Sequence, residues 1–122
     1  MNIPGFIARQ FYVAGSLRNT DTGWELQAQN PMGDGVLVGV GKMSIDGHVI
    51  PAASVSAKRV GDAEGIRAED VSRMQPVNVR KGDRVTLAVA GERLTPGEHK
   101  LEVELVELNL GGLAFSITDT VA

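Results

Sequence analysis

The sequence predicts an all-β protein, an antiparallel β-sandwich of about eight or nine strands, on three observations. Apolar side chains recur at every second position in one segment after another, the period at which a strand buries one face. Fifteen glycines are spread along 122 residues, and windows with helical periodicity are scarce. Clusters of Asn, Asp, Gly and Pro punctuate the alternating segments at short intervals, as they do in sandwiches. The length fits one domain, residues 1–122.

The first alternating segment is 11–18, with Phe11, Val13, Gly15 and Leu17 on one face and Tyr12, Ala14, Ser16 and Arg18 on the other. A turn at 19–23 returns the chain into Trp24, Leu26 and Ala28, which are expected to share the buried face and make Trp24 a core residue. After the loop Asn30-Pro31-Met32-Gly33-Asp34-Gly35, residues 36–45 are apolar on both faces, and Gly39 and Gly41 mark bulges or close backbone approach. Asp46-Gly47 is a two-residue hairpin signal leading into His48-Val49-Ile50. A weaker strand is expected at 55–60.

Residues 58–75 are polar and irregular, with one helical turn expected near 68–74; a loop this long is unusual in so small a domain, and long loops are more often functional or mobile. Val77-Asn78-Val79, the turn 80–83 and the run 85–89 read as another hairpin. The turn 94–99 leads into Lys100, Glu102 and Glu104, alternating with Leu101, Val103 and Leu105. Gly111-Gly112 breaks the run before a last strand, 114–121.

Composition excludes several classes. There is no cysteine, hence no disulfide scaffold, thiolate metal site or cysteine nucleophile. The start, MNIPGFIARQ, lacks a signal peptide's basic and apolar regions, and no apolar run approaches a membrane span. A cytoplasmic protein without a membrane is expected. Net charge is −3, with five basic and four acidic groups in 1–60 against seven and eleven in 61–122. An acidic balance without a Lys/Arg stripe argues against nucleic acid.

No catalytic residue and no metal ligand is assigned. His48 and His99 each follow a turn, lack HxH or HxxxH spacing and read as solvated turn residues. Ser16, Ser54 and Ser116 have no nucleophile context such as GxSxG. Glu102, Glu104 and Glu107 cluster, and paired carboxylates can cleave glycosides. Glu102 and Glu104, however, fall on the wet face of a strand beside Lys100, as on a solvated edge that resists aggregation. The glycines at 33, 35, 39 and 41 form neither GxGxxG nor a P-loop and read as turns and bulges.

The N-terminal Ile-Pro-Gly-Phe-Ile is more apolar than a free tail. It either packs under its own sandwich or docks on another subunit. Ile3, Phe6, Ile7 and Phe11 are the candidate partner interface.

The block Phe11-Tyr12-Val13-Ala14-Gly15-Ser16-Leu17-Arg18-Asn19-Thr20-Asp21-Thr22-Gly23-Trp24-Glu25-Leu26 is followed by Asn30-Pro31, a Gly-rich strand, the Asp46-Gly47 hairpin and a strand pair around Lys81-Gly82. It ends on Pro96-Gly97-Glu98-His99-Lys100-Leu101-Glu102-Val103. Over nearly the whole chain this order resembles the small, or β, subunit of bacterial C-glycoside deglycosidases, the Gly-Ser-Leu-Arg-Asn-Thr block most specifically. The resemblance implies a hetero-oligomer with a large TIM-barrel α subunit. That subunit holds a divalent metal, expected to be manganese, and acts as a lyase on aryl C-glucosides oxidised to the 3-keto form. The ketone acidifies the C2 proton, a base removes it, and the enolate expels the aryl carbon, with the metal stabilising the oxyanion. No cofactor is expected on the present chain, whose role would be to buttress the barrel and shape the rim of its site.

Two alternatives stand beside this reading. One is a free-standing sandwich that binds carbohydrate or protein, with Trp24 and Tyr12 as contact residues, although five aromatics are few for a sugar platform. The other is an independent small β-sandwich enzyme.

Overall fold

A computed structural model describes residues 2–122. Ten strands form two sheets, and an α-helix, α1 (Gly5–Phe11), precedes them. The first sheet contains β1 (Arg18–Thr20), β2 (Gly23–Gln29), β8 (Arg84–Ala90), β5 (Val55–Arg59) and β6 (Ile66–Arg67), in that spatial order. The second runs β10 (Gly111–Val121), β9 (Gly97–Glu107), β3 (Gly35–Ile45) and β4 (His48–Ile50), with β7 (Val77–Val79) also paired to β3. All strand pairs are antiparallel, and the fold is the expected sandwich. The strand beyond the expected number is β6, two residues long inside the stretch read as irregular, while β1 falls where the first alternating segment was expected to end in a turn.

Between the sheets, Trp24, Leu26, Leu87 and Val89 face Met43, Leu101, Val103 and Ile117, all buried. The central strands β9 and β3 carry the two expected irregularities. Their register shifts between Leu37 and Gly39 and between Val40 and Met43. A Cβ at Gly41 would lie 2.9 Å from the Cβ of Glu104, so the bulge needs glycine there. At the β3–β4 hairpin Asp46 and Gly47 both have positive φ, 50° and 83°, the conformation of a type I′ turn.

Three local readings are corrected. The segment 11–18 is not one strand. Phe11 ends α1, whose start is held by the Pro4 carbonyl accepting from the N–H groups of Ile7 (3.0 Å) and Ala8 (2.9 Å). Tyr12 makes a single bridge to Ala28, and the chain then turns through Gly15 (φ 79°) before β1 begins. Ser16 replaces ladder bonds with its hydroxyl, which accepts from the Gln27 N–H at 2.9 Å.

The second correction concerns 77–89, which is not a hairpin. β7 pairs with β3, aligning Gly35 with Val79, while β8 lies between β2 and β5 in the other sheet. The turn between them carries the chain across the sandwich. Asn30 organises the crossing: its amide donates to the Val79 carbonyl at 3.1 Å, and its backbone pairs with Gly82 and Asp83.

His99 is the third correction, since it is 7% exposed rather than solvated, whereas His48 is exposed as expected. Its Nδ1 faces the Asp46 carboxylate at 2.6 Å and its Nε2 the Thr95 carbonyl at 2.7 Å. Both neighbours are acceptors, so the ring satisfies both only as imidazolium. The Thr95 carbonyl and then Asp46 hold the His99 pKa above its ordinary value. The Lys100 N–H and then His99 hold the Asp46 carboxyl below its own.

A raised folded-state histidine pKa contributes stability that is full below the unfolded value of about 6.5 and is lost as pH climbs through the folded value. The depressed Asp46 acts at the other limb, where stability is lost as pH falls through its folded value. The melting temperature of the native chain is therefore expected to decline as pH rises from about 6.5. His99→Gln should flatten that alkaline limb; an unchanged limb in this variant, measured by thermal melts across pH, would remove His99 as its cause.

Candidate functional site

Burial along the sandwich is uneven. On β9, Leu101 and Val103 are fully buried, but Leu105, next on the same face, is only half-buried. On β10, Val121 and Ile117 are buried while Phe115 and Leu113 are not fully covered, and on β3 Met43 is buried while Val40 and Leu37 are half-exposed. All three gradients run toward the β9–β10 turn. A cavity of about 330 Å³ lies between the sheets there. Leu37, Val40, Val77, Leu87, Leu105 and Phe115 contribute to its walls, and Met32 and Leu110 stand at its mouth.

One acid is built into this mouth. Glu107 continues the inward phase of Leu101, Val103 and Leu105 and is 9% exposed. Its Oε2 accepts from the Val36 N–H at 2.9 Å, and Oε1 accepts from the N–H groups of Asn109 (2.8 Å) and Leu110 (2.9 Å). These donors, Val36 first, hold its carboxyl below the usual range. Glu107 thus ties the start of β3 to the β9–β10 turn and fixes one lip of the cleft. The period-two phase of β9 was the available signal, because it places position 107 inside.

The expected solvated edge of Glu102 and Glu104 is corrected as well. β9 is an interior strand, flanked by β10 and β3. The two carboxylates do lie on its outer face, where Glu102 pairs with Lys100 at 3.7 Å and Glu104 accepts from the Lys42 N–H at 3.4 Å across Gly41. The trio is therefore split between opposite faces of the sheet.

At the side of the cleft the chain's beginning forms a seam. The Ile3 N–H donates to the Ala114 carbonyl at 2.8 Å, so residues before α1 lie along the β10 edge and do not reach outward freely. Ile3 and Phe11 line the cavity, Ile7 is half-buried, and Phe6 is 64% exposed. Of the four candidate interface residues, Phe6 alone turns most of its side chain to solvent.

Tyr12, on the β2 side, donates its hydroxyl to Asp119 of β10, which also accepts from the Gly15 N–H at 3.0 Å. Burial, with the Asp119 bond second, pushes the Tyr12 phenol up to about 12. Burial opposes ionisation of Asp119, but Tyr12 and the surrounding N–H groups outweigh it and hold the carboxyl below its ordinary value. Tyr12 and Trp24 are both buried, at 5% and 4%, so neither offers a face on which a sugar could stack.

Among the described residues, no group of three or more His, Asp or Glu side chains is placed to hold a metal ion. No described helix is long and apolar enough to cross a membrane.

Fold and cleft define an antiparallel β-sandwich domain with an apolar, one-ended interior opening. Residues 7–122 match the family described as hydroxymethylglutaryl-CoA reductase, N-terminal domain, and the chain belongs to that family. No curated protein matches the sequence. Among solved structures the chain is similar to one from work on glycolipid glycan hydrolysis, a family 123 glycoside hydrolase from Clostridium perfringens. The match has 11% identity and a TM-score of 0.35, and covers 85% of this chain but 22% of that one. The chain thus spans under a quarter of that structure's length.

Proposed function

We propose that the chain is the non-catalytic small subunit of a cytoplasmic, hetero-oligomeric C-glycoside deglycosidase in carbohydrate catabolism. On a large TIM-barrel α subunit, 3-keto aryl C-glucosides would be cleaved by metal-assisted elimination. The observation that carries this reading is the order of sequence blocks from Phe11 to Val103, which resembles the small subunit over nearly the whole chain. The surface offers what a partner would cover: Phe6, Met32, Leu108 and Leu110 are exposed apolar side chains. Full burial of such a side chain is worth roughly 1.5–3 kcal/mol, and covering what each still exposes would gain a fraction of that. The general base and the metal, expected to be manganese, would belong to the barrel. This chain would support the barrel and shape its rim.

Co-expression with the barrel subunit and assay on a 3-keto C-glucoside tests the reading. Cleavage is expected from the pair and not from either chain alone. Phe6→Glu should weaken assembly at least tenfold while leaving the melting temperature of the isolated chain nearly unchanged, since Phe6 is largely exposed. An inactive pair that nevertheless assembles would overturn the proposal.

The family match favours a second reading, an accessory domain beside a hydroxymethylglutaryl-CoA reductase. Assaying co-purified partners on hydroxymethylglutaryl-CoA separates the two.

A further inference from the structure

We infer that the cleft between the sheets is a binding site for a neutral, planar aromatic molecule carrying hydroxyl groups. This goes beyond the proposed function, because it is a property of this chain whichever partner it has.

Protein interiors are close-packed, and voids much larger than a water molecule are rare in them. Here a cavity of about 330 Å³ lies between two sheets that pack tightly a few residues away on the same strands. That volume falls in the range of small-molecule sites, which are concave, mostly apolar and supplied with a few placed polar groups. An apolar cavity of this kind is poorly satisfied by water and takes up apolar ligands.

Shape and charge narrow the ligand class. A gap between two β-sheets is a slot bounded by two broad faces, which suits a flat ring better than a globular hydrocarbon. No lysine or arginine lines it, so a fatty acid or other buried anion would find no counter-charge. The polar groups lie at the mouth, where Asn30, Asp34, Glu107 and Asn109 are among the lining residues. Glu107 is held as a carboxylate by three backbone N–H groups. Oε1 already accepts twice, but Oε2 accepts once and keeps a lone pair for a hydroxyl donor, and a second anion beside it would be repelled. A ring inserted between Leu37 and Leu105 on one wall and Leu87 on the other would leave its hydroxyls at this acidic lip.

The test uses the full chain with 2-naphthol, neutral at pH 7, and 2-naphthoate, the same ring bearing a charge. Calorimetry should show one saturable site for 2-naphthol and a rise in melting temperature, with 2-naphthoate at least tenfold weaker. Val77→Phe, which projects a ring into the cavity from β7, should abolish binding without lowering the melting temperature. Leu110→Glu, at a mouth residue 58% exposed, covers the case in which Val77→Phe misfolds; it should weaken 2-naphthol severalfold in a chain that melts normally. The inference is overturned by no saturable 2-naphthol binding, by equal binding of the naphthoate, or by undiminished binding in a folded Val77→Phe chain.

Discussion

Replacing Trp24 by alanine is expected to cost about 3–5 kcal/mol, the range for truncating a buried large aromatic. Trp24 is 4% exposed and pairs with Asn19 on β1 and Val89 on β8, in an interior strand of its sheet. It heads the inward series Trp24, Leu26, Ala28, so no rearrangement of a surface loop can fill the space it leaves. Domains of this size are stable by only about 5–15 kcal/mol. The variant should therefore melt roughly 10–20 °C lower or fail to fold. Trp24 is the only tryptophan, and its native emission should be blue-shifted and resistant to acrylamide. Red-shifted, freely quenched emission from the folded native chain would contradict this placement.

Gly23→Ala is expected to destabilise by about 3 kcal/mol or more through backbone collision rather than a cavity. A Cβ at position 23 would lie 2.0 Å from the Val89 carbonyl oxygen and 3.0 Å from the Gly91 nitrogen. Both are backbone atoms of the adjoining strand and its exit, so no rotamer change relieves the contact. The neighbouring turn is tied there too, as the Gly91 N–H donates to the Thr22 carbonyl at 3.0 Å. Gly47→Ala is a useful control: its φ is also positive, but a Cβ would meet nothing within 4 Å. Gly47→Ala should lose only the smaller cost of strained backbone, about 1–3 kcal/mol. Denaturant titration of both variants checks the difference. Equal losses would mean that the close approach at Gly23 is relieved elsewhere.

The sandwich class, the Asp46-Gly47 turn, the irregular Gly39–Gly41 stretch and the burial of Trp24 are all legible in the sequence. Each is local: side-chain period two decides which face is apolar, and a positive φ at two consecutive residues selects Asp-Gly. The cleft was not legible. Leu37, Leu105 and Phe115 look the same in sequence as Met43, Val103 and Ile117, since all are inward apolar residues on the same three strands. What separates them is how completely the rest of the fold covers each level.

By itself, then, the sequence determined an all-β chain with its core stripes, its hairpin at 46–47 and the need for glycine in β3. Tertiary structure alone decided four things. Residues 5–11 became a helix packed against β10 and β2, and seven residues carry too little periodicity to show it in sequence. β7 went to β3 because Asn30 and Gly35, over forty positions away, supply its partners. His99 was buried because Asp46 and Thr95 converge on both its nitrogens. The cleft lies at the end where Glu107 ties the start of β3 to the β9–β10 turn and where Leu37, Leu105 and Phe115 stay only part-covered. In each case at least one deciding contact joins segments distant along the chain, and pairing energies of that kind leave no trace in local pattern.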